Sequence, residues 1–183
     1  ENADNLIAMT MDESGNIFSA GSSNNALGNS QVTTVKFNAN GSPQWTTTLN
    51  TPTIFSSVAK SIAIKNGNIY VGGQYTTPTG MTKYILIKYN SQGVQQWVQQ
   101  YSNGMNAAGE KIAIDGNENI SILGNVTSPT GIIHITTVKY DSNGNQLWTA
   151  SYISLTDGAR NGTDIKLDDA GNSYCFVNNR NTG

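Results

Sequence analysis

VKYDSNGNQLW, residues 138–148, decides the fold, because the chain writes this phrase three times. Near-copies stand at 35–45 (VKFNANGSPQW) and 87–97 (IKYNSQGVQQW). Trp45, Trp97 and Trp148 therefore recur 52 and 51 residues apart. A second phrase keeps step with the first: GNIF at 15–18, GNIY at 67–70, ENIS at 118–121 and GNSY at 171–174. Two markers sharing one period of about fifty residues indicate a repeat of propeller-blade length.

Each unit reads as two β-hairpins. In the second unit the strands fall at 61–64, 68–71, 84–89 and 96–99, in runs of β-branched and aromatic residues bounded by Gly, Asn and Pro. The turns carry their own signal. Asn38, Asn90 and Asp141 each precede a glycine by three residues, as do Asp12 and Asp168. An Asx side chain opens a type I turn, and the glycine takes the positive φ that closes it. The expected fold is all-β: propeller blades of four antiparallel strands, about three and a half of them. Residues 1–183 form one segment with blades at about 5–52, 56–103, 109–153 and 161–183, the last incomplete. A closed propeller needs about 4–8 blades. The chain also begins at Glu1 rather than Met. A longer chain, or a partner that supplies the remaining blades, is therefore expected. The open edge should self-associate unless it is paired.

These phrases resemble the bacterial seven-bladed β-propeller repeat family. The resemblance is carried by Ile62-Ala63-Ile64, by Gly67-Asn68-Ile69-Tyr70-Val71-Gly72-Gly73, and by Ile87-Lys88-Tyr89-Asn90 through Gly93 to Trp97. Two departures are local. Glu118 replaces the first glycine of the hairpin phrase, and Val177 replaces the glycine found at Gly21, Gly73 and Gly124. The resemblance implies an extracellular or cell-surface bacterial protein, often part of a larger chain, with no shared catalytic residues. The repeat, the lack of a catalytic grouping and the varied loops point to a non-catalytic structural or protein-interaction scaffold, with a carbohydrate-binding propeller as the alternative and an enzyme with a site in the central channel ranked last.

Composition narrows the partners. Charged residues make up 12% of the chain, and the net charge is −2. Clustered Lys and Arg, the footprint of nucleic-acid binding, are missing. No apolar run reaches the ~18 residues of a membrane-spanning helix. The expected partners are a protein or further blades, with a glycan as the other class.

No residue set points to catalysis, a metal or a cofactor. The lone histidine, His134, sits at a repeat position that is polar in three units, which suits an exposed strand residue. Cys175 lies in an apolar run and reads as a buried, inert thiol. The acidic turns at Asp141 and Asp168 offer oxygens at alternate positions but lack the bidentate Glu of an EF-hand loop. Lys36, Lys88 and Lys139 recur before an aromatic, which suggests one packing or hydrogen-bonding task per blade. Trp45, Trp97 and Trp148 suit wedges between blades better than sugar platforms. Asn119, Asn125 and Asn161 match Asn-x-Ser/Thr, a glycan-acceptor pattern that the bacterial resemblance leaves without weight. The inner strands are expected to offer only Ile, Ala, Met and Thr. Binding is expected on the varied loops between hairpins and between blades, where Phe55, Met105, Tyr152 and Arg160 are the contact-prone residues.

Overall fold

The computed structural model describes residues 5–49, 51, 54–103, 106–153 and 160–179. They form antiparallel meanders in chain order. The first sheet holds β1 (Asn5–Met11), β2 (Ile17–Asn24), β3 (Ser30–Phe37) and β4 (Pro43–Thr48). The second holds β5 (Ser56–Lys65), β6 (Asn68–Thr76), β7 (Thr82–Tyr89) and β8 (Gln95–Tyr101). The third holds β9 (Asn106–Ile114), β10 (Ile120–Thr127), β11 (Ile133–Tyr140) and β12 (Gln146–Tyr152). Two strands, β13 (Arg160–Leu167) and β14 (Ser173–Asn179), make up the last. The first strand of each sheet packs across the sheet before it: β5 against β1, β2 and β3, β9 against β5, β6 and β7, and β13 against β9, β10 and β11. This is the face-to-face stacking of propeller blades, three and a half in number.

The quoted phrase now has a full geometric account. Val138 and Tyr140 are buried on β11. The Asp141 Oδ1 accepts the N–H groups of Asn143 and Asn145 at 2.9 and 2.8 Å. The Gly144 N–H closes the turn on the Asp141 carbonyl at 3.0 Å, with φ at 87°. That left-handed value is why glycine stands there. Beyond the turn, Leu147 is an extra residue in the β11–β12 register, so Trp148 lands opposite Lys139. The Gly-x-x-x-Trp spacing is thus a closed turn followed by a one-residue bulge. The same bulge falls at Gln44 and Gln96 in the first two blades.

A second bulge was not legible. Strand β5 runs from Ser56, five residues before the strand expected at 61–64. Lys60 is an extra residue there, between the Ala59–Gly73 and Ser61–Gly72 pairs. Ile7, Glu110 and Thr163 are extra at the same position in the other blades. The bulge brings the two backbones so close that a Cβ on Gly73 would overlap the Val58 carbonyl oxygen. Gly21 and Gly124 meet the same obstacle, so the repeated glycine serves the bulge.

The connections between hairpins are more uniform than their sequences suggest. Gly28, Gly80 and Gly131 close tight turns on the carbonyls of Asn25, Thr77 and Ser128. The side chains of those three residues accept the N–H groups of Asn29, Met81 and Ile132. Asn, Thr and Ser perform one task under three letters. These segments are therefore turns rather than the varied loops expected.

The core lies between blades. One buried cluster joins Phe18, Val32 and Leu49 of the first blade to Ile69, Ile85 and Tyr89 of the second. Another joins Tyr70 and Leu86 to Ile112, Ile122 and Val138. The outermost faces lack that cover. Met9 is 73% exposed, whereas Ile62, at the same place in the second blade, is 9% exposed.

Candidate functional site

The tryptophans link neighbouring blades. The Trp45 Nε1–H donates to the Ser91 carbonyl at 3.1 Å, and the Trp97 Nε1–H donates to the Ser142 carbonyl at 3.2 Å. Each acceptor lies in the last turn of the following blade. A Cβ on Gly93 would lie 2.8 Å from the Trp45 ring, and one on Gly144 would lie 3.1 Å from the Trp97 ring. The indoles therefore occupy wedges rather than presenting flat faces to a ligand. Trp148, with no such acceptor among the described residues, is 37% exposed.

The repeated lysines do related but unequal work. Lys36 lies 5.2 Å from the centre of the Phe18 ring. Lys88 stacks similarly on Tyr70 and donates to the Ser142 carbonyl at 3.0 Å. Lys139 donates to the Gly171 carbonyl and pairs with Asp115 at 2.9 Å. Glu118 sits at φ 65°, the left-handed place that Gly15 and Gly171 fill in other blades. Its carboxylate reaches back one blade to accept from Asn68 and Tyr70 at 2.6 and 2.7 Å, with Lys88 at 3.8 Å. Burial would raise the Glu118 pKa, but those donors outweigh it and hold the carboxyl below its ordinary value. The departure from glycine thus exchanges backbone strain for a polar latch between the second and third blades.

Other singled-out residues lie apart from one another. His134 is half-buried on β11 rather than exposed. Cys175 is exposed, contrary to the buried thiol expected, because among the described residues β14 has only β13 beside it. The carboxylates of Asp141 and Asp168 accept from Asn145 and Asn172, so their oxygens serve the turns. Asn119 does the same for Asp115, and the Asn125 Oδ1 accepts from the Gly162 N–H. Phe55 and Tyr152 are exposed on different blades. Met105 and the side chains of Arg160 and Asn161 lie outside the described residues. The inner strands are more charged than expected. The bulge itself adds Lys60 and Glu110, and Lys111 and Asp164 stand directly beside it.

A cleft of about 510 Å³ opens where the first two blades meet, lined by Met11, Asp12, Glu13, Ser14, Ile64, Lys65, Asn66 and Gly67. Its origin is a difference in turn length. Five residues separate the Met11–Ile17 pair of the first blade, whereas only Asn66 and Gly67 separate Lys65 from Asn68. The short turn leaves a recess beside the long one. The Asp12 carboxylate is committed to Asn16 and Ser14, and the Asn16 amide above all keeps it below its ordinary pKa. Glu13 and Lys65 face the cleft without protein partners among the described residues. The sequence held one trace of this site: Lys65 stands where other units carry Asp12, Asp115 and Asp168.

No family model matches the sequence, and no curated protein does. Solved structures do. One is an α-L-arabinofuranosidase from Clostridium thermocellum, with a TM-score of 0.44 and 14% identity. The match covers 80% of this chain and 53% of that one, so the chain spans about half of the enzyme's length. This finding corrects the expectation of a non-catalytic scaffold. The similar structure is an enzyme, and stacked sheets of this kind do not fix a function, which resides in the clefts and turns they carry. The likeness transfers neither an activity nor any residue to this chain.

Proposed function

We propose that the chain binds carbohydrate in the cleft between its first two blades. The supporting observation is the cleft's mixed lining. A carboxylate (Glu13), an ammonium (Lys65), an amide (Asn66) and a hydroxyl (Ser14) surround an apolar strip from Met11 and Ile64. Sugars present hydroxyls that both donate and accept, and carboxylate and amide groups match that pattern. Their C–H faces suit the apolar strip. We also read the repeat as that of the bacterial seven-bladed family, displayed at the cell surface. The matches at 62–64, 67–73 and 87–97 support that reading.

Calorimetric titration with a panel of neutral oligosaccharides tests the cleft. Binding is expected. Glu13→Ala and Lys65→Ala should each cost about 1.5 kcal/mol, roughly tenfold in Kd. A panel without any binder, or variants that bind as the parent does, would remove the proposal. Release of reducing ends during titration would make the cleft a hydrolase site instead.

A further inference from the structure

We propose that the groove between β12 and β14 is the docking site of a β-hairpin written in this chain's own Asx-x-x-Gly-x-x-x-Trp phrase, added as the third and fourth strands of the last blade. The groove has a volume of about 540 Å³ and is lined by Ile135, Thr137, Ala150, Tyr152, Cys175 and Val177, among others. It continues an interface that the chain builds twice elsewhere. Ile135 and Tyr152 hold the repeat positions of Val32 and Leu49. Leu49 is 2% exposed, and Tyr152 is 56% exposed. In the second and third blades the corresponding cover is the hairpin that follows β6 and β10.

Those two blades also specify what the occupant must carry. Trp45 and Trp97 are each met by a turn whose second residue offers a carbonyl and whose fourth is a glycine lying against the indole. Trp148 presents the same donor, without a partner among the described residues. The outer edge of β14 offers backbone groups beside it, since β13 is its one neighbour among the described residues. The occupant is therefore recognised three ways: by strand addition, by a carbonyl for the Trp148 Nε1–H, and by a glycine that admits the ring.

A synthetic peptide of residues 82–101 supplies the probe, titrated into the intact isotope-labelled chain. Saturable one-to-one binding is expected, with slowed exchange of the Trp148 indole proton and loss of Cys175 alkylation. A peptide carrying Gly93→Val should fail, because its side chain would strike the indole. Ala150→Arg in the chain should abolish binding and leave the sheets folded, since Ala150 is exposed. Equal binding of the two peptides, unaltered Trp148 exchange, or a dimer that already buries the groove would each overturn the proposal.

Discussion

Replacing Gly73 with alanine is expected to cost about 4 kcal/mol or more, at the upper end of single-substitution effects. The added methyl would meet the Val58 carbonyl oxygen and the Ala59 Cα, both of them backbone atoms. A side chain could rotate away, but these atoms are held by the bulge at Lys60 and by the β5–β6 ladder. Gly73 is also enclosed from the next blade, where a Cβ on Gly109 would approach the Gly73 carbonyl oxygen. Relief therefore requires opening the bulge, beyond the ~1–3 kcal/mol of ordinary overpacking. Gly80→Ala is the control. Unlike Gly73 it has a positive φ, at 83°, but nothing lies within 4 Å of the added Cβ. It should lose only about 1–2 kcal/mol, the cost of a left-handed L-residue. Urea denaturation measures both, and equal losses would refute close approach as the cause. Val177 occurs at this position in the last blade, where β13 is the one strand beside β14 among the described residues.

Lys139→Met is expected to cost about 3–5 kcal/mol at neutral pH, the usual result of stranding one member of a buried ion pair. The Asp115 and Lys139 side chains are 1% and 6% exposed, so water cannot replace the lost ammonium. Burial works to raise the Asp115 pKa, yet Asn119 and Lys139 together hold it below its ordinary value of 3.8. A carboxyl lowered in the folded state adds stability above its unfolded pKa, and that stability is lost as pH falls through the folded one. The gap between parent and variant should therefore be widest near neutrality and narrow below about pH 4. Adding Asp115→Asn should recover most of the loss, because the Asn oxygen can still accept from Asn117 and Asn119 as Asn38 and Asn90 do in their own turns. A pH-independent gap, or no recovery in the double variant, would show that packing around the lysine stem matters more than its charge.

The blades were legible because their signals are local. Asn38, Asn90 and Asp141 fix turns through their own side chains, and buried strand residues such as Ile85 and Ile87 declare themselves by type. The inner bulge was hidden because one extra residue breaks the two-residue alternation, and Ile7, Lys60, Glu110 and Thr163 share no chemistry. The uniform turns at Asn25, Thr77 and Ser128 were hidden because three residue types accept the same N–H. Contacts between blades were the least legible. The partner of Glu118 in Tyr70, and the cleft between Glu13 and Lys65, depend on residues about fifty positions apart. Cys175 was misread because an apolar run implies burial only where another strand or blade covers it.

The exchange rates of the three indole protons test the stacking of consecutive blades most directly. Trp45 and Trp97 donate to carbonyls in the following blade, and Trp148 has no such acceptor among the described residues. Solvent-exchange NMR should therefore show two protected indole protons and one fast one, with Trp148 the fast one. Three similar rates, or protection of Trp148 alone, would contradict the stacked arrangement on which the cleft and the groove both depend.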